Sequence, residues 1–329
     1  MPPIEPMLAR PLNTLPPAHR TGGIVYQQKV DGFRVIVFLR AGRLTLQSRQ
    51  GSDLTPAFPD LTAAAARVDR DLVADGELVT FHEGRLDFSV LQQRARRRGH
   101  GAAEAARERP AHVILFDLLE EDGEMLMSRP LRERWERLEA LFTSGILGSP
   151  WTLVTSTTDR SVAATWLAPA YGRVGIEGAV VKTDGPYRPG ERGSWTKVRA
   201  YETAEGIVAG VTGPPAAPHT LLLARYDAAR RLRLIARTTP LASADRQSVG
   251  RDVTSVSSGH PWEGVRFSAG WGQRDTLSYT TVLPRLVVEF RADTAVDHGR
   301  YRHPVRYLRA RDDLTADDVP ILGTSRPTP

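Results

Sequence analysis

The chain has 329 residues, of which 41% are hydrophobic and 25% are charged, a composition typical of a globular protein with room for two domains. It contains no cysteine, which excludes disulfides, cysteine-ligated zinc and thiol catalysis. Its formal charge of +6 is compatible with a polyanionic partner such as nucleic acid, although many basic proteins bind none.

Targeting and membrane segments are not apparent in the sequence. No apolar run approaches the roughly 20 residues that span a bilayer. The stretch from Met1 to Arg10 lacks the basic start and apolar continuation of a secretory signal. We therefore expect a cytoplasmic protein with no membrane partner.

The first 200 residues mix predicted strands and helices. Apolar runs and alternation predict strands within residues 24–49, with a turn at Ala41-Gly42, and at 72–80, 112–119 and 178–183. Helical spacing predicts helices at 59–70, 88–98, 131–142 and 159–171. This mixture indicates an α+β domain with antiparallel sheets and flanking helices.

From about Tyr201 the pattern changes to short β-prone runs separated by turn residues. The runs lie at 206–211, 220–226, 232–238, 286–291 and 305–309. Five short strands in this length suit a small antiparallel β-barrel of the OB type. We therefore place a domain boundary near residue 200, with domains at 1–200 and 201–329.

The densest basic stretch is residues 94–109, RARRRGHGAAEAARER. A solvated helix end followed by a mobile loop is favoured here over a DNA contact.

Lysine is used very sparingly. Lys and Arg total 44, yet lysine occurs only at positions 29, 182 and 197. A GC-rich genome accounts for the arginine bias but not for which lysines persist. Because the lysine amine can lose its proton and become a nucleophile, these three positions are candidates for chemistry that arginine cannot perform.

Each lysine lies within a recognisable string. Lys29 begins KVDGFR between two predicted strands, Lys182 ends EGAVVK, and Lys197 lies in WTKVR. Taken alone, Lys-x-Asp-Gly is an ordinary hairpin turn. Further strings follow in order: Ser48-Arg49, Asp75-Gly76-Glu77, Phe116-Asp117, Arg302-His303-Pro304 and Arg309-Ala310-Arg311-Asp312-Asp313.

This ordered set resembles the motifs of the covalent nucleotidyltransferases, which are the polynucleotide ligases and mRNA capping enzymes. In order, spacing and domain placement it is most similar to the short two-domain bacterial ATP-dependent DNA ligases of the ligase C type and to the ligase module of bacterial end-joining enzymes. The resemblance covers nearly the whole chain. It implies a nucleotidyltransferase (adenylation) domain followed by an OB-fold barrel.

The resemblance implies an ATP-dependent DNA ligase that seals 5′-phosphate/3′-hydroxyl nicks in DNA repair. Lys29 would carry AMP as a phosphoramidate. Lys182 and Lys197 would supply positive charge and neutralise the α-phosphate. A surface lysine is the alternative for each, and it is weaker for Lys29 than for Lys197.

The other site residues follow from the same resemblance. Glu177 would help to bind a magnesium ion, and Glu77 would contact the AMP ribose or the metal; manganese is an alternative to magnesium. Water-exposed carboxylates at strand ends are the alternative for either glutamate. Arg34 and Arg49 would hold ribose and phosphate oxygens through their forked guanidinium groups.

Two residues are expected at the adenine base. Phe116 would stack on the ring, and a phenylalanine in the core of a buried strand is nearly as good an interpretation. Gln27 lies two residues before Lys29, and its amide oxygen could accept a hydrogen bond from the adenine N6 amino group. This favours ATP without excluding GTP.

The C-terminal motif departs from the family pattern. Arg311 and Asp313 match a motif that orients the ATP pyrophosphate, but Leu314 occupies the position of its usual lysine. We therefore expect slow charging of Lys29, or a protein that purifies mainly as its AMP adduct.

Alternatives remain at this stage. An RNA ligase or a GTP-using capping enzyme would keep the fold and change the substrate. A non-catalytic nucleic-acid-binding protein would keep only the fold. An NAD-dependent ligase is disfavoured because its zinc-binding cysteines are absent. The expected partner is nicked duplex DNA, with ribonucleotides at the nick as a further option, and repair polymerases or end-binding proteins would be separate chains.

Overall fold

The chain divides into two compact units, Met1–Ala200 and Tyr201–Pro329. A computed structural model describes residues 3–17, 23–192, 194–268 and 276–323. Each unit has its own buried apolar clusters, so each is described by itself.

The first unit contains strands and helices in alternation along the chain. Its strands are β1 (Arg10–Leu12), β2 (Ile24–Val30), β3 (Phe33–Arg40), β4 (Arg43–Ser48), β5 (Leu72–His82), β6 (Arg85–Leu86), β7 (Ala111–Glu121), β8 (Glu124–Met125), β9 (Trp151–Leu153), β10 (Ser156–Thr157), β11 (Ile176–Thr183) and β12 (Thr196–Arg199). Its helices are α1 (Pro59–Ala65), α2 (Phe88–Ala95), α3 (Gly99–Glu108), α4 (Leu131–Thr143), α5 (Arg160–Thr165) and α6 (Pro169–Gly172).

These strands form two sheets. The first has the order β1-β12-β11-β2-β10, and the second has the order β4-β3-β5-β7-β8, with β6 paired to β5 and β9 paired to β7. Although β2 and β3 are consecutive, they belong to different sheets, so the link at Asp31-Gly32 crosses from one sheet to the other. A Cβ at Gly32 would lie 2.4 Å from the Leu78 carbonyl oxygen, which restricts this crossing to glycine.

Strand β3 is buried on both faces, which explains its continuous apolar run. Val35 and Val37 pack into the large cluster beneath the helices. Ile36 and Phe38 point to the opposite face and pack with Tyr187 and Trp195. This face of β3 therefore packs beside two predicted motif residues, Phe116 and Trp195.

The second unit is built on an antiparallel sheet. Its elements are β13 (Tyr201–Thr212), β14 (Thr220–Tyr226), β15 (Leu232–Arg237), α7 (Ser243–Asp252), β16 (Thr280–Thr281), β17 (Val287–Asp293), β18 (Val296–Asp297), β19 (Arg300–Tyr301) and β20 (Arg306–Ala310). The order is β15-β14-β13-β17-β20, and β16 pairs with β13. A parallel bridge between Thr238 and Val305 joins the two edges, so the sheet closes on itself.

The α+β class with antiparallel sheets is confirmed, and the closed sheet agrees with the small barrel expected after residue 200. Local details differ. The predicted helix at 159–171 is two helices, α5 and α6, with Pro169 opening the second. The prediction of a loop within residues 94–109 is wrong, because helix α3 forms there although it contains two glycines.

One side chain of that basic stretch faces inward. Arg94 is 2% exposed and donates to both carboxylate oxygens of Asp60, at 2.8 and 3.1 Å. Its guanidinium also lies over the Phe58 ring. Arg94 is therefore part of the core. Within the described residues, no helix has the length and apolar character needed to cross a membrane.

Candidate active site

Lys29 is held against a carboxylate at the junction of the two sheets. It lies near the end of β2, and its Nζ makes a close ion pair with Glu177 on β11. The pairing of β11 with β2 is irregular at Glu177. Gly178 follows with a φ of +140°, and a Cβ there would lie 2.1 Å from the Val198 carbonyl oxygen. Only glycine permits this bulge, which directs Glu177 towards Lys29.

Glu77 is a second carboxylate near Lys29. Burial raises its pKa to about 8, and the nearby charges of Asp31 and Glu177 also raise it. Lys29 and Arg34 act in the opposite direction. The site therefore concentrates carboxylates where negative charge is costly unless cations are close.

Lys197 on β12 contributes a second amine. Burial lowers its pKa, and so do the positive charges of Lys29, Arg199 and Arg49. Glu177 opposes this shift. Arg49 itself is exposed, immediately after β4. The structure thus brings together the predicted lysine nucleophile and three further cations, a suitable environment for a triphosphate.

Gln27 and Lys182 are buried farther along β2 and β11, where they meet the partly buried Phe116 of β7. The Gln27 side-chain nitrogen and the Lys182 Nζ both donate to the Phe116 carbonyl oxygen, at 3.5 and 2.7 Å. Lys182 Nζ also lies 4.0 Å from the centre of the Trp195 ring and 3.5 Å from Asp117. Burial lowers the pKa of Lys182 to about 8, although Asp117 opposes the shift.

Gln27 leaves one buried atom without a partner. Its Oε1 accepts no hydrogen bond within the described residues, although the side chain is only 2% exposed. In this orientation the amide nitrogen, a donor, faces the Phe116 carbonyl oxygen at 3.5 Å. An unsatisfied buried acceptor is costly, and an amino group of a bound base would satisfy it.

Arg34 is bound to a protein carboxylate. Its guanidinium donates to both oxygens of Asp75, at 3.0 and 2.6 Å. Burial opposes the charge on Arg34, yet Asp75 raises its pKa. The guanidinium lies 5.3 Å from the centre of the Phe116 ring and 5.5 Å from that of Trp195. These contacts fix the orientation of Arg34, and its role towards ribose or phosphate remains a prediction.

Arg134 and Asp117 form a fully buried ion pair that the sequence analysis missed. Arg134 donates to both Asp117 oxygens, at 2.7 and 3.1 Å, and to the backbone oxygens of Arg129 and Gly185. A signal was available, because Arg134 shares its helix face with the buried residues Leu131, Leu138 and Leu141.

The remaining predicted residues lie in the second unit. Arg311 donates to Asp313 at 2.8 and 2.7 Å and to Glu205 at 3.0 Å. The hydrogen bonds to Asp313 raise the pKa of Arg311 above its ordinary value. The same contact lowers the pKa of Asp313 to about 2. Leu314 packs against an apolar cluster of the barrel.

The first unit suits a nucleotide with a hydrated divalent cation. Within the described residues, no group of three or more His, Asp or Glu side chains could hold a metal by itself. Magnesium, however, commonly uses one or two carboxylates together with substrate phosphates and water. Glu77 and Glu177 provide two such carboxylates beside Lys29. The donor set therefore fits magnesium bound together with ATP.

Comparison with known proteins covers both units. Residues 6–199 match the ATP dependent DNA ligase domain. DNA ligase C2 of Mycolicibacterium smegmatis is 31% identical over 96% of this chain and 92% of its own length. DNA ligase C of Mycobacterium tuberculosis is 32% identical over 99% of this chain and 95% of its own length. The ligase domain from M. tuberculosis LigD has a similar structure, with a TM-score of 0.51 at 26% identity over 96% of this chain and 97% of that domain.

Proposed function

Because the chain belongs to the ATP-dependent DNA ligase family, we propose that it seals nicks in duplex DNA and that Lys29 is the residue that carries AMP. The first unit, residues 1–200, acts as the adenylation domain. The second unit, residues 201–329, acts as an OB-fold domain. The setting is DNA repair in the cytoplasm.

The reaction has three displacements at phosphorus. Deprotonated Lys29 Nζ attacks the α-phosphorus of ATP, a P–N bond forms, and the P–O bond to pyrophosphate breaks. An oxygen of the 5′-phosphate at a nick then attacks the same phosphorus and displaces the lysine amine. Finally, the 3′-hydroxyl attacks the activated 5′-phosphate, and AMP leaves.

The observation that carries this proposal is the contact of Lys29 with Glu177 in a cluster that also contains Lys197 and Glu77. Glu177 holds the amine in position. Lys197 and Arg49 favour binding of the phosphates and offset negative charge as pyrophosphate departs. A surface lysine would have no such surroundings.

The base end of the site supports ATP as the nucleotide. The unpartnered Oε1 of Gln27 is suited to accept from the adenine N6 amino group, whereas guanine presents a carbonyl acceptor at the equivalent position. Phe116 is only partly buried, which leaves part of its ring available for stacking. Lys182 contacts the Phe116 carbonyl oxygen, so it lies at the base end of the site, and its role towards the α-phosphate stays a prediction.

Glu77 and Glu177 would hold a magnesium ion, which when bound offsets charge on the phosphate oxygens. Without such a cation, the burial of Glu77 disfavours its ionised form. Manganese has the same preference for oxygen ligands and is the alternative.

Transfer of label from ATP labelled on the α-phosphate tests the proposal. After pyrophosphate treatment to remove bound AMP, wild type and Lys29→Arg are incubated with labelled ATP and magnesium and separated on a denaturing gel. Lys29→Arg keeps the positive charge but lacks a nucleophilic amine, so label should appear on wild type alone. Equal labelling of both would place the AMP elsewhere, and no label on folded wild type would reject the reaction.

Nicked DNA then tests the substrate. Labelled wild type should pass its AMP to a DNA carrying a 5′-phosphate at the nick and yield sealed product. Guanosine triphosphate labelled on the α-phosphate is the control nucleotide. Stronger labelling of the protein from GTP than from ATP would instead indicate a capping-type enzyme. Sealing of nicks in RNA but not in DNA would favour an RNA ligase.

A further inference from the structure

The N-terminal segment, residues 4–12, is joined to the strand that carries Lys197. Its last part is strand β1, which pairs in parallel with β12 and places Pro11 opposite Lys197. At the first residue of this pairing, the Arg10 N–H donates to the Trp195 carbonyl oxygen at 2.9 Å. The segment therefore forms the edge of the first sheet next to the motif lysine.

The other end of this segment is joined to the second sheet. The Ile4 N–H donates to the Gln47 side-chain oxygen at 3.0 Å, and the Gln47 side-chain nitrogen donates back to the Ile4 carbonyl oxygen at 2.6 Å. Gln47 lies on β4, two residues before Arg49. The segment thus connects both sheets that surround the site.

Tyr187 makes the central contact of this segment. Its hydroxyl accepts from the Met7 N–H at 2.9 Å and donates to Asp75 at 2.6 Å. Tyr187 is 3% exposed, and Met7 and Asp75 are fully buried. The Tyr187 ring also packs edge-on against Trp195, with ring centres 5.6 Å apart. One hydroxyl therefore links the N-terminal segment to a buried carboxylate.

That carboxylate is the group that orients Arg34. Asp75 accepts two hydrogen bonds from Arg34 and one from Tyr187. Arg34 and Trp195 both lie against Phe116, the residue assigned to the adenine. We propose that Tyr187 is a positioning residue for ATP, which holds Asp75 and Trp195 so that Arg34 and Phe116 are preorganised for the nucleotide.

This inference rests on the proposed function, because it assigns Arg34 and Phe116 to the nucleotide. Tyr187 touches neither Lys29 nor Glu177 through any hydrogen bond within the described residues. Loss of its hydroxyl should therefore affect how well ATP is held and leave the attacking amine in place. It would also leave the buried Met7 N–H without its acceptor.

Tyr187→Phe tests the proposal by a split between binding and rate. The KM for ATP in lysine adenylation should rise about three- to tenfold, part of the full effect of one hydrogen bond to a charged group, while kcat changes less than about twofold. Tyr26→Phe is the matched control. Tyr26 also lies in the core of the first unit, and its hydroxyl donates to the Pro16 carbonyl oxygen at 2.9 Å. Tyr26→Phe should therefore lower stability without a change in KM.

A double-mutant cycle shows whether Tyr187 acts through Arg34. The dissociation constant of α,β-methylene ATP, which cannot transfer AMP, is measured for wild type, Tyr187→Phe, Arg34→Lys and the double variant. Tyr187→Phe should weaken binding in wild type and have little further effect after Arg34→Lys.

Two results would overturn the positioning role. One is unchanged KM and analogue affinity in Tyr187→Phe. The other is a fall in affinity that adds fully to that of Arg34→Lys, since a purely structural tyrosine gives additive effects. If wild type binds the analogue better than Tyr187→Phe but forms no adduct with ATP, the positioning role stands and the proposed ligation chemistry fails.

Discussion

The two units of this protein treat charged side chains differently. In the first unit, the Arg134–Asp117 pair has no exposed side-chain surface, and Asp75 in the Arg34–Asp75 pair has none either. In the second unit, the Arg309 side chain is 63% exposed in its pair with Glu289, and Arg230 and Asp317 are both more than half exposed. Although Arg311 and Glu205 of the second unit are only 15% and 11% exposed, the pair with no exposed side-chain surface lies in the first unit, which therefore bears the larger desolvation cost among these pairs.

Buried ion pairs are weak stabilisers, because hydrophobic residues of similar size often serve folding as well or better. Their concentration beside Lys29, Phe116 and Trp195 indicates a function other than stability. A nucleotide site requires donors and charges that are already oriented when the substrate arrives. We infer that the first unit loses some stability in exchange for preorganisation, whereas the exposed pairs of the second unit carry little desolvation cost.

The largest expected difference between the units is in stability. Asp117→Ala should lower the free energy of unfolding by about 3–5 kcal/mol, because it leaves Arg134 and Lys182 buried without their carboxylate. Asp317→Ala removes a carboxylate from an exposed pair in the second unit and should cause no measurable change. Urea denaturation followed by circular dichroism compares the two, and similar losses would show that burial does not separate the units.

A smaller effect is expected in the pH dependence of stability. Burial lowers the pKa of Lys182 to about 8 from its ordinary 10.5. Below pH 8 the amine is charged in both states and the cost of burial is fully present. Between about pH 8 and 10.5 the unfolded chain binds more protons, so wild-type stability gains a favourable contribution as the pH rises.

Lys182→Met lacks this contribution, so the free energy of unfolding of the variant relative to wild type should fall between pH 8 and 10.5. Urea denaturation at pH 7.5 and pH 10 measures the difference. Labelling with ATP should be weaker in the variant, since the amine contacts the Phe116 carbonyl oxygen at the base end. Parallel pH profiles for the two proteins would mean that Lys182 does not titrate in this range.

The smallest effect concerns the second unit. Leu314→Lys introduces the lysine of the family's C-terminal motif at a partly buried position and should raise the rate of Lys29 charging about two- to fivefold, the modest effect of one charge near the surface. Leu308→Lys is the control, because this substitution introduces the same charge outside the motif, at a residue that is 41% exposed. A stoichiometric burst of pyrophosphate from AMP-free enzyme measures the rate. A fast burst from wild type would contradict the slow charging predicted from Leu314.

Sequence patterns were sufficient to predict several strands in both units. The apolar run of β3 and the β-prone runs after Tyr201 predicted strands because neighbouring side chains report the local environment of the backbone. Helix α3 was missed because glycine at positions 99 and 101 is typical of loops, whereas its buried Ala102 and Ala105 pack inside the unit. Here tertiary packing overcame local propensity.

Arg94 and Arg134 show the same limit for charge. Arginine in an amphipathic helix is usually exposed. Arg94 was accordingly expected in a solvated helix end, and no burial was predicted for Arg134. Each instead lies within the core, because a carboxylate from another element, Asp60 or Asp117, provides a bidentate partner. The spacing of apolar residues around Arg134 contained that information, but its partner was not apparent from spacing.

The sequence by itself determined which chemical groups the protein has and their order along the chain: three lysines in a chain of arginines, each within a short motif, and a change to β-prone runs near residue 200. Tertiary structure alone decided that Lys29 meets Glu177, 148 residues away, and that Met7 meets Tyr187, 180 residues away. Sheet pairing and burial bring such residues together, and they also set the pKa of Lys182 and the orientation of Arg34. These properties depend on neighbours in space, which local sequence patterns do not encode.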